Sequence, residues 1–272
     1  MVAKILNLPK DVVEFINGEL LGDGGVYLRK NSLSFNSAYF TVTDVHKTYA
    51  EYLDRMLNEL GLKTRKISES TYSTSSEPRK KYCVSTVSYA GDIEILHNRW
   101  YLTDGYFCPS CEIFFPNEII DVLKQRDGGV PRYKCPACNA HRLQNKLIPI
   151  DLILTPLIIR QWYIGDGCSS GGYLSFCTKA FLLNDLQILQ QKLREIGIIA
   201  SIWKNRVMYV NSKSVETFFK YIGKCPVECY NYKWASSDEL KKARTVYYLR
   251  QKKKEREMEN NKKEKRGINV KK

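Results

Sequence analysis

The sequence predicts an α+β fold made of two pseudo-symmetric halves with a small segment inserted between them. Two observations predict the halves. Residues 15–24 and 158–167 are both apolar helical runs that end in Gly-Asp-Gly, and the same succession of elements follows each run. A third observation predicts the insertion, because two closely spaced cysteine pairs lie between the halves. Each half therefore has the predicted element order αββαββα.

The first half begins with a helix that follows Pro9 and ends at Asp23. Alternating polar and apolar residues after Asp23 predict a β-hairpin. A second helix is expected to end at Gly61, a residue type that commonly closes helices. The elements predicted after the first helix are strands over 26–30 and 37–42, a helix over 45–60, strands over 63–68 and 81–88, and a helix over 92–97.

The second half repeats this order. Its first helix begins at Thr155-Pro156, a typical N-cap followed by proline at the first helical position, and it ends at Asp166. The elements that follow are a hairpin over 173–178, a helix over 183–196 closed by Gly197, strands over 199–204 and 206–211, and a helix over 214–222. The predicted divisions are a first half over 1–102, an insertion over 103–145, a second half over 146–240 and a tail over 241–272.

The charge of the chain predicts an anionic partner, most commonly nucleic acid. The 272 residues carry a net charge of +14. Residues 241–272 hold 14 basic and 4 acidic residues, which leaves only +4 on the other 240 residues. This tail is expected to be a frayed helix or disordered, and it is either simply solvated or in contact with DNA. A body that binds nucleic acid must therefore gather its basic residues on one face.

The composition argues against a membrane or secreted protein. No apolar run approaches the ~18 residues of a membrane span, and the first residues lack the pattern of a signal peptide. Nine cysteines in such a chain are expected to be reduced thiols.

Two cysteine pairs in the insertion predict a zinc site. Their spacing is C-x2-C-x23-C-x2-C, and the first cysteine of each pair precedes a proline that favours a tight turn. Four thiolates suit the tetrahedral coordination of Zn2+. The insertion is therefore expected to fold as a small zinc-ribbon-like unit around Cys108, Cys111, Cys135 and Cys138.

The repeated motif resembles that of the LAGLIDADG homing endonucleases of the two-motif, single-chain kind. Residues 16–24 (INGELLGDG) match its nine positions, and residues 159–167 (IRQWYIGDG) match more loosely, since Gln161 replaces a small third residue. The segments 146–149 (KLIP), 154–156 (LTP) and 232–234 (YKW) look like one branch of this family.

The resemblance implies a monomeric, site-specific homing endonuclease of the kind that is encoded within an intron. It would cut both strands of a long double-stranded DNA target with a divalent metal such as Mg2+ and leave 3′ overhangs. Two alternatives remain: an intron RNA maturase on the same scaffold, or a DNA-binding regulator without catalysis, which the presence of both acids disfavours. The cell compartment stays open between a prokaryotic or phage-infected cytoplasm and an organelle.

The candidate active site lies at the tips of the two motif helices. Small residues such as Gly18 and Gly22 let such helices pack closely, so Asp23 and Asp166 are expected to lie side by side. Two adjacent carboxylates repel each other unless a hard divalent cation lies between them. The metal ligands implied are both carboxylates and the backbone of Gly22 and Gly165.

Basic residues are expected beside the metals. The resemblance implies Lys146 and Lys233, whereas the internal repeat offers Arg99 as a rival to Lys146, because Arg99-Trp100 aligns with Lys233-Trp234. Two four-stranded sheets are expected to form a DNA-binding β-saddle whose outer face carries the basic and polar residues. The candidates for DNA contact are Arg29, Lys30, Asn36, Lys63, Arg65, Arg79, Lys81, Lys204 and Arg206.

Overall fold

The computed structural model has the predicted α+β architecture. It describes residues 7–30, 36–73, 78–89, 91–120, 134–140, 143–169, 172–236, 238–246, 248–250, 252–253 and 258. The first half contains α1 (Lys10–Leu21), β1 (Gly25–Lys30), β2 (Asn36–Asp44), α2 (Lys47–Glu59), β3 (Ser68–Ser73), β4 (Pro78–Ser85) and α3 (Asp92–Trp100). The short strands β5 (Gly105–Phe107) and β6 (Phe114–Pro116) follow in the insertion.

The second half repeats the element order of the first. It contains α4 (Pro156–Asp166), β7 (Gly167–Cys168), β8 (Leu174–Phe176), α5 (Leu183–Glu195), β9 (Ala200–Ile202), β10 (Met208–Val210) and α6 (Val215–Ile222). Each half forms one antiparallel four-stranded sheet, with strand orders β1-β2-β4-β3 and β7-β8-β10-β9. The matching orders show that the two halves share one topology, as the repeat predicts.

The first motif helix packs directly against the second. A Cβ on Gly22 would lie 3.4 Å from the Cα of Gly165, so the two backbones nearly touch at the helix tips. Farther along the interface, Gly18 lies opposite Gln161, and a Cβ on Gly18 would lie 2.7 Å from the Cβ of Gln161. The large third residue of the second motif is thus accommodated by a glycine on the facing helix.

The core joins both halves. It contains the fully buried Trp100, Trp162, Tyr163 and Phe176, and the side chains of Trp162 and Phe176 stack with ring centroids 3.9 Å apart. The indole Nε1 of Trp100 donates a hydrogen bond of 2.9 Å to Asn17 on α1, which satisfies two buried polar groups. No helix within the described residues is both long and apolar enough to cross a lipid bilayer.

Two strand predictions in the first half were wrong by several residues. The strand expected over 81–88 is β4, Pro78–Ser85. The strand expected over 63–68 is instead β3, Ser68–Ser73. Thr64 makes only an isolated bridge to Thr86, and regular pairing begins at Ser68 opposite Cys83. Three residues therefore lie between these pairs on one strand and two on the other, which is a β-bulge that interrupts the ladder.

The insertion leaves the first half and joins the second half at neighbouring positions, because Tyr101 pairs with Lys146. Isolated bridges join Tyr101 to Lys146 and Phe107 to Gln144, so residues on both sides of the insertion run antiparallel. The insertion also has a small core of its own, formed by Cys108, Phe115, Ile120, Cys135 and Leu143. In the tail, residues 241–246 and 248–250 are helical, and the prediction for 259–272 lies outside the described residues.

The helix interface gives a stability prediction. Gly18→Ala should lower the free energy of unfolding by about 1–3 kcal/mol, because its Cβ would overlap both Gln161 and the backbone of Ile158. Gly22→Ala is the matched control, since its Cβ would make only an ordinary contact at 3.4 Å. Denaturant unfolding of both variants measures the difference, and equal stabilities would contradict this packing.

Candidate functional site

The tips of the two motif helices bring Asp23 and Asp166 together. A Cβ on Gly165 would lie 3.3 Å from the backbone nitrogen of Asp23, so the acids follow helix ends that are in contact. Asp166 is half-buried and Asp23 stays exposed at the mouth of the site. Neither carboxylate accepts a hydrogen bond from any residue that the structure describes, so both retain their oxygen atoms for another ligand.

Two lysines lie beside these acids in matching positions. The ammonium of Lys146 donates hydrogen bonds of 2.8 Å to the carbonyls of Leu20 and Gly24, at the end of α1. The ammonium of Lys233 donates to the carbonyls of Ile164 and Gly165, at the end of α4. Each lysine therefore neutralises the negative end of one motif helix. Both lysines are also close enough to the acids for their charges to oppose the burial that raises the pKa of Asp23 and of Asp166.

The pKa shifts reflect crowding of charge in a partly dry site. Desolvation and the charge of Asp23 raise the pKa of Asp166 to about 7, although both lysines oppose this. Desolvation and Asp44 raise the pKa of Asp23. Desolvation also lowers the pKa of Lys146 to about 8 and lowers that of Lys233. A bound cation would therefore stabilise the charged form of both carboxylates, because it replaces the lost water and offsets the repulsion between them.

The acids open into a cavity of about 700 Å3. Lys146 and Lys179 contribute positive charge to its wall, and Pro109 and Ser110 of the insertion form another side. The cavity therefore combines two carboxylates that suit a divalent metal with ammonium groups that suit a phosphodiester.

The rival residue Arg99 does not reach this cavity. Its guanidinium pairs with Asp151 at 2.6 Å on the protein surface. Lys146, by contrast, caps the helix of the first motif just as Lys233 caps the helix of the second. The structure therefore places Lys146, and not Arg99, in the position equivalent to Lys233.

Comparison with known sequences relates part of the chain to a known family. Residues 13–115, which include the whole of the first motif, match the LAGLIDADG DNA endonuclease family. The second motif lies outside the matched residues and ends the helix α4. The first half of the chain is therefore similar to this family, and the internal repeat relates the second half to the first.

Solved structures with this fold include a DNA-bound enzyme. The chain superposes with a TM-score of 0.57 on a structure described as the homing endonuclease I-WcaI bound to its DNA recognition sequence. The match covers 85% of this chain and 88% of that one at 16% sequence identity, which establishes a shared fold. A looser match, with a TM-score of 0.40 and 14% identity, covers 78% of this chain and 96% of I-DmoI, solved with DNA and Mn.

One relative in sequence is named as a maturase rather than as an endonuclease. The chain is 24% identical over 188 residues to the cytochrome b mRNA maturase bI2 of Debaryomyces hansenii. The alignment covers 68% of this chain but only 56% of the relative, so the chain spans little more than half of that protein's length.

Sequence reasoning missed two acids of the first half, one within the first motif and one at the end of β2. Asp44 ends β2 close enough to raise the pKa of Asp23, and its side chain accepts hydrogen bonds from the Tyr230 hydroxyl and the His46 amide. Glu19 is buried in the interface of the motif helices, where it accepts bonds from Tyr49 at 2.5 Å and Gln161 at 3.0 Å. Neither acid has an acidic counterpart in the other half, so the repeat gave no signal for them.

The buried Glu19 gives a prediction on pH. Burial raises its pKa from 4.5 to about 8, so the folded protein keeps a proton that the unfolded chain releases. This contribution to stability is complete below the unfolded pKa and is lost as the pH rises towards the folded one. Glu19→Gln should therefore leave the free energy of unfolding nearly unchanged at about pH 4 and increase it by at least about 1 kcal/mol at about pH 8.

Denaturant unfolding across this pH range measures the effect of Glu19→Gln. The exposed Glu59 on α2 provides the matched control, Glu59→Gln, which should show no such dependence. A constant difference between wild type and Glu19→Gln at all pH values would contradict a protonated Glu19 in the folded state.

The four predicted cysteines of the insertion do converge. Their sulfur atoms all lie within 4.8 Å of one another, and the Cys108–Cys138 and Cys111–Cys135 sulfurs are each 3.6 Å apart. Tetrahedral Zn2+ with bonds of about 2.3 Å requires sulfurs about 3.8 Å apart. The geometry of this cluster therefore fits a structural zinc ion.

The predicted DNA-contact residues fall into three groups. Arg29, Arg79 and Lys81 point away from the helices on the first sheet, at positions that alternate with buried Val26 and Val84. The exposed residues Lys63, Arg65 and Lys204 lie in connecting segments rather than in strands. Lys30 and Asn36 end their strands, and their side chains lie outside the described part of the chain.

The expectation for Arg206 was wrong. It lies in the turn between β9 and β10 with a left-handed φ of 60°, not on the outer face of the sheet. Its guanidinium pairs with Glu112 of the insertion at 2.8 Å and donates to the carbonyl of Phe181. Arg206 therefore joins the insertion to the second half and does not project from the outer face of the sheet.

Proposed function

We propose that this protein is a site-specific endonuclease that hydrolyses both strands of duplex DNA with divalent metal ions. The observation that carries the proposal is the paired site: two carboxylates at touching helix tips line one cavity, and a buried or half-buried lysine binds the end of each helix. A single chain supplies both halves of this site, so the active form is a monomer that meets the two strands with its two motifs.

The residues of the chain have distinct roles in this proposal. Asp23 and Asp166 would hold Mg2+ together with backbone oxygens of Gly22 and Gly165, where the metal would activate water and stabilise charge on the phosphate. Lys146 uses two of its three N–H donors on helix carbonyls, which leaves one for a phosphate oxygen. Lys233 would do the same for the other strand. Staggered attack on the two strands leaves 3′ overhangs.

The outer face of the first sheet would supply much of the target recognition. Arg29 and Arg79 are exposed on this face. A two-stranded β-ribbon is narrow enough to enter the major groove of DNA. Phosphate contacts from these and other basic residues would make the affinity fall steeply with salt. The test is cleavage of a plasmid that carries the uninterrupted sequence flanking the gene, with Mg2+ present. A linear product that is cut at one position with complementary 3′ overhangs supports the proposal. A plasmid that the folded protein binds but leaves intact contradicts it.

RNA splicing is the second candidate function. The similarity to an mRNA maturase favours it. A maturase would promote splicing of a host intron in a manner that survives loss of Asp23 and Asp166, because splicing needs RNA binding rather than hydrolysis. An in vitro splicing reaction with the Asp23→Asn protein therefore separates the two functions.

The insertion would bind one structural zinc ion, and its loss should impair cleavage. Cys108→Ser with Cys111→Ser should release the metal and loosen the wall of the cavity that Pro109 and Ser110 form. Because the insertion also pairs with the strand that leads to Lys146, the cleavage rate should fall while the far-UV circular dichroism of the main sheets persists.

Metal analysis and single-turnover cleavage measure these two effects. The matched control is Cys83→Ser, a cysteine on the first sheet outside the cluster. Protein purified without chelators that contains no zinc would contradict the site. A double variant that loses zinc but cleaves at the wild-type rate would contradict the link to the cavity.

A further inference from the structure

One arginine joins two walls of the cavity into which the motif acids open. The guanidinium of Arg206 donates a hydrogen bond of 3.1 Å to the carbonyl of Phe181 and pairs with the carboxylate of Glu112 at 2.8 Å. Phe181 lines the cavity from the second half, whereas Glu112 belongs to the insertion. The two contacts use different nitrogens of one planar, rigid group, so this group fixes the two walls relative to each other.

The first wall is a tight turn of the insertion over residues 108–113, which we call the knuckle. The amide of Glu112 donates a hydrogen bond of 2.8 Å to the carbonyl of Cys108 and closes the turn. The turn presents the exposed Ser110 to the cavity. The carboxylate of Glu112 also accepts a hydrogen bond of 3.3 Å from the amide of Leu183, at the start of α5. The knuckle is therefore held against the second half by two contacts of one carboxylate.

The second wall is the segment over residues 178–181, between β8 and α5. The hydroxyl of Thr178 donates a hydrogen bond to the backbone carbonyl of Arg206. Arg206 therefore holds this segment through its backbone as well as through its side chain. Lys179 follows Thr178 in the chain, is exposed and lines the cavity. This wall thus adds a cation to the cavity that Lys146 also lines.

The ammonium of Lys179 lies close to the acid of the second motif. Burial raises the pKa of Cys177, the charge of Asp166 raises it further, and the charge of Lys179 lowers it, so both charges act on the same thiol. Cys177 lines the cavity, and its amide donates a hydrogen bond of 2.9 Å to the carbonyl of Asp166. A phosphate next to Asp166 would therefore be within the field of Lys179.

The first half has an apolar residue where the second half has this cation. Gly167 of the second motif lies opposite Phe176, and the register of β1 and β2 places Val42 opposite the equivalent glycine of the first motif. Three residues farther along each chain segment, Val45 is therefore the counterpart of Lys179. Val45 is 48% exposed and carries no charge. The two half-sites are thus chemically unequal, although their motif acids and lysines match.

We propose that Lys179 and Ser110 bind the phosphate of one of the two DNA strands, and that Arg206 is the positioning residue that holds both. An ammonium and a hydroxyl are both common donors to phosphate oxygens. This inference rests on the proposed endonuclease function and extends it, because it makes the two strands unequal. The strand affected is the one whose phosphate Lys146 contacts, since Lys146 and Lys179 line the same cavity.

Strand-resolved single-turnover cleavage of the plasmid with the flanking sequence tests the proposal. Lys179→Met and Arg206→Gln should each slow, by about tenfold, the strand that depends more on Lys146, so nicked plasmid should accumulate. The affinity for the duplex, measured with Ca2+, should change by less than about threefold. Glu112→Ala should favour the same nicked product, and Glu112→Gln should restore most of the rate, because an amide oxygen can still accept both hydrogen bonds. Equal slowing of both strands, or no slowing of either, overturns the proposal.

Hydrogen exchange tests the positioning role without cleavage. Arg206→Gln should speed the exchange of amides in the knuckle and in residues 181–183 and leave the zinc content at the wild-type value. The matched control is Arg194→Gln, an exposed arginine on α5, which should change neither the exchange nor the strand preference. A plasmid that wild-type protein leaves intact contradicts the endonuclease function, and faster exchange in Arg206→Gln supports the positioning role even then. Unchanged exchange in both segments overturns that role whatever the plasmid shows.

Discussion

Replacing either motif acid is expected to reduce cleavage of both DNA strands by at least about a hundredfold. Metal ions at such sites contribute several kcal/mol of transition-state stabilisation, and 1.4 kcal/mol corresponds to about a factor of ten. Asp23→Asn and Asp166→Asn keep the shape of the side chain and remove its charge, so the helix tips should stay packed. In addition to burial, the charge of Asp23 raises the pKa of Asp166, so the two carboxylates are close in space, and the loss of one should affect the metals used by both strands.

Strand-resolved cleavage measures this prediction. If each acid served only its own strand, the two variants would be nickases of opposite strand preference. We expect the shared arrangement, because backbones in contact at Gly22 and Gly165 leave little room for two separate sets of metals. The matched control is Asp104→Asn, an exposed acid near the start of the insertion. Cleavage that is undiminished in both motif variants would overturn the assignment of the site.

The second large effect is expected for the lysines. Lys146→Met and Lys233→Met should slow single-turnover cleavage about tenfold to a thousandfold, within the range seen when one donor to a developing negative charge is removed. Their effect on the affinity for DNA should be much smaller, because the charge that they stabilise grows only as the phosphate reacts.

Arg99→Met separates the lysine assignment from the rival one. Arg99 forms a surface ion pair with Asp151. Its replacement should change neither the cleavage rate nor the affinity for DNA. Because Lys146 also caps α1, the free energy of unfolding of Lys146→Met must be measured alongside, and activity should be compared at a temperature where both proteins are folded. Slow cleavage by the Arg99→Met protein together with a wild-type cleavage rate for Lys146→Met would reverse the assignment.

The repeat was sufficient to predict the arrangement of the halves and the approach of the two acids. Asp23 and Asp166 each follow a helix with small residues near its end, and equivalent positions in a twofold arrangement meet at the axis. The cysteine pairs likewise predicted their own convergence, because each pair constrains its own turn. These predictions depended on local spacing and on internal symmetry, which a sequence displays directly.

Features without a symmetric counterpart could not be predicted in this way. The bulge before β3 depends on a one-residue offset between two strands, which has no signature in either strand alone. Glu19 is tolerated in the helix interface only because Tyr49 and Gln161 both hydrogen-bond to it. Arg206 was expected to face DNA, yet the insertion supplies Glu112 as its partner. Such contacts join residues distant in sequence, so they become visible only in the folded chain.

The most direct test of the central claim is selection of cleaved molecules from a pool of randomised DNA duplexes. The account predicts that wild-type protein with Mg2+ enriches a single long site, cut in both strands with 3′ overhangs at positions offset across the minor groove. In Ca2+, whose looser coordination supports assembly but activates water poorly, the same site should be bound and left intact. Enrichment of the same cut products by the Asp23→Asn, Asp166→Asn double variant would contradict the account.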